Sequence, residues 1–334
     1  MKVRLKDISD ETGFSISTVS RVLRGDAKKN TKRVKQILKS AQKLGYPIHA
    51  QENSSPKKDV YIAIITNFNV GDFYAAFFKG FYTASVGTNF KFSLFHSEYD
   101  NESIIELISK LSVSSGLYSG FVLFMPSLKE NDYKEILSET PKDTIILSAA
   151  PLVYPVFDTL TFDSYSGAFA VANHFHNRGY KELGLVMGPL HRYDALLRKN
   201  GFIDYIEHHS DMSLSWQMSG NYTLESGWEA YTEFKKLEKK PRAIFFSNDD
   251  MCLGFMEKAR DDNYSFPEDI AIAGYDDLPI CSYHHPSVSS VHTDYTMLGK
   301  NAINYFIERI ERNNPQPSGL LSMVPVSLCI RDSS

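Results

Sequence analysis

The chain has 334 residues, of which 43% are hydrophobic and 13% aromatic, enough for two or three globular domains and unlike a disordered protein. The net charge of −4 conceals a split: residues 1–58 carry 14 Lys and Arg against 5 Asp and Glu, whereas residues 59–334 have a net charge of −13. This asymmetry predicts a basic module that binds a polyanion, joined to an acidic globular body.

Other features narrow the class of protein further. The opening Met-Lys-Val-Arg-Leu-Lys-Asp has no apolar h-region, and no stretch approaches the ~20 apolar residues of a membrane helix. The three cysteines are scattered and give neither a disulfide framework nor a zinc-ligand spacing. We therefore expect a cytoplasmic protein with no membrane partner, no cofactor and no metal.

Residues 3–46 have the pattern of a small all-α unit. A first helix is predicted at Leu5–Thr12, a turn at Gly13, and a second helix capped by Ser15. The inward residues of the second helix are Val19, Val22 and Leu23. A third helix, Thr31–Leu44, would bury Val34, Ile37, Leu38, Ala41 and Leu44.

The second helix presents a distinctive outward face. That face carries Ile16, Ser17, Ser20, Arg21 and Arg24. A helix-turn-helix needs small polar and Arg side chains in this position to enter the major groove of DNA. The alternative is an ordinary solvated helix in a small bundle.

Residues 47–59 (PIHAQENSSPKKD) are polar, contain two prolines and predict a linker. From Val60 onward, short apolar runs alternate with helical stretches, which is typical of parallel sheets covered by helices. The predicted strands are 60–66, 90–95, 120–125, 144–148, 182–187, 243–246 and 269–274. We expect an α/β body with two similar lobes.

The stretch KDISDETGFSISTVSRVLRGD (6–26) resembles the start of the LacI family of bacterial transcription regulators, and the likeness continues to Leu44-Gly45-Tyr46. Over 60–331 the chain resembles the periplasmic-binding-protein-like core of that family. The resemblance implies a helix-turn-helix headpiece at 1–46, a linker or hinge at 47–59, and a two-lobed effector-binding body. The lobes would comprise 60–160 plus 292–318 and 161–291 plus 319–331, with crossings near 160, 291 and 320.

The resemblance also implies DNA contacts. Ile16, Ser17 and Arg21 would reach base edges, while Thr18 and Ser20 would lie near phosphates. Arg21 can form bidentate hydrogen bonds with guanine, and Ile16 can contact a thymine methyl group. Ser15 and Arg24 complete the predicted DNA-binding set. Residues 47–55 lack the hinge-helix pattern of the family, so we do not expect its minor-groove wedge here.

Effector-binding positions follow from the same resemblance. Phe73 and Tyr74 would form an aromatic wall, although both could instead be core aromatics. The other predicted residues are polar or aromatic, and several of them follow predicted strands: Arg192, Asp194, Arg198, Tyr222, Asn248 and Asp276. Arg198 with Asp276 would supply both donors and acceptors, which suits a polyol. Ser148 stands where many members have Asp, so no relative's effector identity transfers.

We therefore predict a homodimeric, sequence-specific repressor whose affinity for operator DNA is modulated by a small ligand, with a carbohydrate favoured by family frequency. Alternatives are a sugar-binding receptor without a DNA role and a regulator that uses a purine co-repressor; a hydrolase on the same scaffold is a third. No catalytic motif occurs, and adjacent carboxylates such as Asp276-Asp277 should point apart. The histidine pairs 174/176, 208/209 and 284/285 should lie at the surface.

Overall fold

The computed structural model describes residues 3–23, 32–46, 58–68, 72–114 and 116–334. Two compact units divide the chain, residues 1–58 and residues 59–334. Arg24 and residues 47–57 of the predicted linker lie outside the described residues.

The described part of the first unit is helical: α1 (Leu5–Thr12), α2 (Ile16–Leu23) and α3 (Lys32–Lys43). Gly13 ends α1 with a φ of +72°, a left-handed conformation that suits glycine, and its amide donates to the Ser9 carbonyl. Ser15 precedes α2, and its hydroxyl accepts a hydrogen bond from the Thr18 amide at 3.3 Å. The predicted all-α unit is thus present.

The core of this unit draws on all three helices. Its buried residues are Ile8, Val19, Val22, Ile37 and Ala41. Leu38 differs from the prediction, because 36% of it is exposed. Ser40 is buried in this helix, where its hydroxyl donates to Glu11 of α1 at 2.7 Å. The buried stripe of α3 therefore follows Ile37 and Ala41 and leaves Leu38 beside it.

The second unit alternates helices and strands. Its helices are α4 (Asp72–Ser85), α5 (Asn101–Ser109, continued by a wider turn at Lys110–Ser114), α6 (Glu130–Glu139), α7 (Ser164–Asn177), α8 (Tyr193–Glu207), α9 (Leu224–Lys235), α10 (Asp249–Asp261), α11 (Ile280–Tyr283) and α12 (Tyr295–Glu311). Its strands are β1 (Val60–Thr66), β2 (Phe90–His96), β3 (Tyr118–Phe124), β4 (Ile146–Ser148), β5 (Asp158–Phe162), β6 (Glu182–Met187), β7 (Ser213–Ser219), β8 (Ala243–Phe246), β9 (Ala271–Asp276), β10 (Ser289–His292), β11 (Leu321–Val324) and β12 (Ser327–Cys329).

Two six-stranded sheets form, in the orders β11-β5-β4-β3-β1-β2 and β12-β10-β9-β8-β6-β7. Neighbouring strands are parallel except β10 and β12, which are antiparallel. The seven predicted strands are all present, with ends shifted by at most two residues. The predicted α/β class with parallel sheets in two lobes is confirmed.

The chain passes between the sheets after β5, between β10 and α12, and between β11 and β12. The second passage lies before α12, because that helix already packs in the core of the first sheet through Leu298 and Phe306. The last passage lies at 325–326 rather than near 320. Strand β11 pairs in register with β5 through Leu321 and Thr159, so 319–324 joins the first sheet and only β12 joins the second.

One predicted surface histidine is buried. His174 on α7 is 8% exposed, and its Nε2 lies 3.0 Å from the Ser334 hydroxyl. Burial lowers the pKa of His174, which therefore packs as a neutral side chain. Among the helices that the structure describes, none is both long and apolar enough to cross a membrane.

Candidate functional site

The predicted DNA-contacting residues lie outside the buried stripe of α2. Ile16 is 47% exposed. Ser17 and Arg21 are also exposed, whereas Val19 and Val22 face the core. The predicted phosphate contacts Thr18 and Ser20 are half-buried at the edge of this face, and Ser15 is exposed with its hydroxyl 2.8 Å from that of Thr18.

Predicted effector residues of the second lobe lie where four neighbouring parallel strands end. Arg192, Asp194 and Arg198 follow β6, and Tyr222 follows β7. Asn248 follows β8, and Asp276 is the last residue of β9. Because these strands are adjacent in the order β9-β8-β6-β7, their carboxyl ends meet at one edge of the sheet.

Arg198 is the centre of this group. Its guanidinium donates to the carbonyl of Ser247 at 2.5 Å and to the Asp276 carboxylate at 3.1 Å, and it lies 3.8 Å from the Tyr275 ring centroid. The side chains of Arg198 and Asp276 are 8% and 7% exposed. This is a desolvated ion pair rather than the plain surface Arg that is the alternative at this position.

Arg192 and Asp194 form a second pair beside the first. Two guanidinium nitrogens of Arg192 donate to the two carboxylate oxygens of Asp194 at 3.0 and 2.8 Å. The Tyr222 ring lies 4.8 Å from Arg192 and 5.6 Å from Arg198, so it contacts both cations. Tyr222 has a φ of +70°, and a Cβ at Gly188 would overlap its ring. A glycine at position 188 therefore lets the ring lie over the end of β6.

The two carboxylates have opposite pKa shifts. Burial raises the pKa of Asp276 to about 6, although Arg198 opposes the shift. Burial also acts to raise the pKa of Asp194, but Arg192 and then Arg198 outweigh it and hold that pKa below its usual value. Each arginine thus has a carboxylate partner, while Arg198 Nε and the Tyr222 hydroxyl are buried without a hydrogen-bond partner in the described structure.

Asn248 and the carboxylates after it have separate roles. The Asn248 side chain caps α10 by accepting from the Met251 amide and donates to the Tyr222 carbonyl, both near 3 Å. Asp249 is fully buried and accepts from the Leu278 amide and the Ser290 hydroxyl, so it joins α10 to β10. Adjacent carboxylates do point apart, since Asp276 binds Arg198 whereas Asp277 binds His292 and Arg331.

On the first lobe, Phe73 and Tyr74 differ in their surroundings. Phe73 packs against the rings of Phe77, Phe124 and Tyr295 at 5.4 to 5.9 Å, as expected of a core aromatic. Tyr74 is half-buried at the margin of that cluster. It is also close enough to Tyr99 to perturb the pKa of that phenol.

The sequence patterns miss several residues that face across the lobes. Tyr99 follows β2, and burial followed by Tyr74 raises its pKa while Arg192 of the other lobe lowers it. His191 Nε2 lies 3.4 Å from the hydroxyl of Ser127, which follows β3. Their only sequence signal is a place shortly after a strand, which many other polar residues share.

Comparisons with known proteins agree with this architecture. The family model for a periplasmic binding protein-like domain matches residues 172–334. The NTD biosynthesis operon regulator NtdR of Bacillus subtilis is 25% identical over 99% of both chains. The C-terminal half of the chain thus matches a periplasmic binding protein-like domain, and the whole chain is similar to a bacterial transcription regulator.

Two solved structures of transcription regulators share the fold over the whole chain. The Lac repressor dimer bound to operator and the anti-inducer ONPF superposes with a TM-score of 0.71 at 20% identity, covering 100% of this chain and 99% of that one. The complex of the regulator CelR with cellobiose gives a TM-score of 0.70 at 21% identity and covers both chains fully. Both likenesses concern the fold, so residue roles in this chain depend on its own geometry.

Proposed function

We propose that this protein is a sequence-specific repressor of transcription whose affinity for operator DNA changes when a neutral carbohydrate binds between the lobes of its body. The observation that carries this proposal is the exposed face of α2, with Ile16 and Arg21 outward, on a basic unit whose sequence resembles the LacI family. Residues 1–46 would bind DNA, 47–59 would link the units, and the remainder would bind the effector.

Base recognition follows from the side chains on α2. Arg21 can donate two hydrogen bonds to the major-groove edge of guanine, and Ile16 can contact a thymine methyl group. Ser17 would add a base contact, while Ser15, Thr18 and Ser20 would serve phosphates at the edge of the helix. A second copy of the chain would present the same helix to the other half of a near-palindromic site. The similar Lac repressor is a dimer bound to operator.

Charge pairing in the cleft favours an uncharged effector. The described arginines at the carboxyl ends of the second sheet's strands, Arg192 and Arg198, already have Asp194 and Asp276 as partners. A carboxylate or phosphate ligand would have to displace one of these partners, whereas a sugar hydroxyl can accept from Arg198 Nε and exchange a hydrogen bond with Tyr222. Cellobiose is the ligand of the similar CelR, which supports a carbohydrate.

Hydrogen bonds connect this site to the chain crossings between the lobes. The Asp276 carbonyl accepts from the Thr293 hydroxyl at 3.0 Å, at the crossing before α12. The Asp163 amide, at the first crossing, donates to the Val324 carbonyl beside the third at 3.0 Å. A ligand that moves Arg198 and Asp276 would therefore act directly on the hinge, with a coupling of about 1–3 kcal/mol expected between effector and DNA.

The experiment that tests this proposal is selection of bound DNA from a random pool by the full chain, repeated with a panel of neutral sugars, phosphorylated sugars and purines. A palindromic consensus whose enrichment falls with one neutral sugar is the expected result. Enrichment that rises with a purine would establish the co-repressor alternative and contradict the carbohydrate. Sugar binding without any DNA enrichment would instead identify a receptor, and turnover of a bound ligand would identify a hydrolase.

Arg198→Ala separates the two sites. We expect this variant to retain the consensus and lose the response to the sugar, because Arg198 lies in the body and not on α2. Arg178→Ala removes one arginine outside the cleft and should keep both properties. Loss of DNA binding by Arg198→Ala with intact folding would contradict the division of roles.

A further inference from the structure

Three side chains that can bind a metal lie together beside the hinge. The carboxylate of Asp277, a ring nitrogen of His292 and the thiol sulfur of Cys329 all lie within 4.8 Å of one another. His292 lies 15 positions after Asp277, and Cys329 lies 37 positions after His292, so no motif spacing indicates the cluster. The sheet brings them together, because β9, which Asp277 follows, and β12 are the two neighbours of β10.

We propose that Asp277, His292 and Cys329 form a binding site for Zn²⁺. Carboxylate oxygen, imidazole nitrogen and thiolate sulfur are the three ligand types that zinc accepts in a tetrahedral site, and water would occupy the fourth position. Ligand atoms at this separation need to move by about an ångström or less to reach bonds of about 2.0–2.3 Å. The thiol of Cys329 would release its proton to solvent as the metal binds.

The surroundings hold two of the ligands in place. Nδ1 of His292 lies 2.9 Å from one carboxylate oxygen of Asp277, and the Arg331 guanidinium donates to the other at 2.6 Å. Arg331 also donates to the Val288 carbonyl at 2.7 Å, so its position is fixed. Arg331 leaves the second Asp277 oxygen for the metal and fixes the orientation of the carboxylate, as hydrogen-bond partners of metal ligands commonly do. Its positive charge limits the affinity, which argues for a reversible site.

Two of the ligands adjoin the residues that connect the effector site to the hinge. Asp277 follows Asp276, and His292 precedes Thr293, whose hydroxyl binds the Asp276 carbonyl. All three ligands belong to the second sheet and its strand ends. A bound metal would therefore brace one side of the hinge without bridging the lobes.

Cobalt is a suitable probe because Co²⁺ bound by a thiolate in a tetrahedral site absorbs strongly, whereas Co²⁺ on surface carboxylates does not. We expect one equivalent of Co²⁺ to give a thiolate charge-transfer band with the untagged, reduced full chain. Zn²⁺ should displace the cobalt and abolish the band. Cys329→Ser and His292→Ala should each weaken Zn²⁺ binding at least about 100-fold, whereas His285→Ala, which removes an exposed histidine, should leave it unchanged.

A second readout needs no variant. Cys252 and Cys281 are buried, so Cys329 is the partly exposed thiol of the three in the chain. Alkylation followed by peptide mass analysis should modify Cys329 in the apo protein, and one equivalent of Zn²⁺ should slow this modification at least tenfold. Alkylation unaffected by Zn²⁺, no charge-transfer band, or equal affinity of the wild-type and Cys329→Ser proteins would overturn the proposal.

Discussion

Replacing Arg198 by Met is the sharpest perturbation of the effector site, because Met keeps much of the side-chain volume and removes the charge. The substitution deletes the hydrogen bonds to Ser247 and Asp276 and leaves the Asp276 carboxylate, 5% exposed, without its hydrogen-bonded cation. Breaking one partner of a buried pair costs about 3–5 kcal/mol. We expect the free energy of unfolding of the body to fall by about that amount at pH 7.5.

The penalty should depend on pH in a defined direction. The pKa of Asp276 is raised to about 6 in the folded protein against 3.8 ordinarily, so its ionisation already opposes folding by roughly 3 kcal/mol above pH 6. A group with a raised folded pKa favours the folded state most below pH 4 and loses that contribution as the pH rises through 6. Without Arg198 this pKa must rise further, so the destabilisation by Arg198→Met should shrink between pH 7.5 and pH 5.

Urea unfolding followed by tryptophan fluorescence measures this effect in the body, since Trp216 and Trp228 both lie there. The double variant Arg198→Met with Asp276→Asn removes the unpaired carboxylate and should be more stable than Arg198→Met alone at pH 7.5 by about 1–3 kcal/mol. Additive effects of the two substitutions, or a penalty independent of pH, would refute the interpretation of Arg198 and Asp276 as a coupled buried pair.

Three further predictions concern other parts of the chain. Gly188→Ala should displace the Tyr222 ring and weaken binding of a sugar found by the panel by at least about tenfold in calorimetry. The affinity for DNA in the absence of sugar should change little. Unchanged sugar affinity would count against Tyr222 as a ligand contact. Asp158→Ala should destabilise the body by about 3–5 kcal/mol at pH 7, while exposed Asp143→Ala should not. Burial acts to raise the pKa of Asp158, but hydrogen bonds from Leu320 and Ser318 and the charge of Arg309 lower that pKa overall. The stability difference between Asp158→Ala and wild type should therefore be full at neutral pH and disappear in acid. A difference that grew on acidification would be contrary evidence. Ile37→Ala should destabilise the headpiece by about 2–5 kcal/mol and Leu38→Ala by much less, as measured by hydrogen exchange of headpiece amides, and equal effects would show that the core is misassigned.

Most of the strands that the sequence reveals are largely buried, although the exposed edge strand β2 is also revealed and the buried strand β5 is missed. Runs such as VYIAIIT in β1 and AIFF in β8 are continuous apolar segments, which parallel central strands require. Edge strand β7 alternates exposed and half-buried residues. Strand β10 buries Ser289, which hydrogen-bonds Arg331 of the C-terminal segment, and Ser290, whose hydroxyl donates to Asp249 of α10. Strands of this kind carry no apolar run, so the pattern alone cannot separate them from loops.

The same distinction applies to the site. Arg198 and Asp276 are 78 positions apart, yet each follows a recognisable strand, and adjacent parallel strands bring their carboxyl ends together. Ser127 and His191 meet across the lobes, which depends on how the lobes close and leaves no local pattern. The cluster of Asp277, His292 and Cys329 is hidden for a related reason, since Cys329 lies on β12, which no sequence pattern identifies.

Recognition of DNA sequence through α2 is the central claim, and base preference in Arg21→Ala tests it most directly. DNA selected from a random pool by the wild-type chain should give a two-fold symmetric consensus. Arg21→Ala should weaken binding by about 1–3 kcal/mol and lose preference at one symmetry-related pair of positions, while Arg312→Ala in the body should reproduce the wild-type consensus. An unchanged consensus with Arg21→Ala, or no enriched sequence with the wild-type chain, would contradict the account.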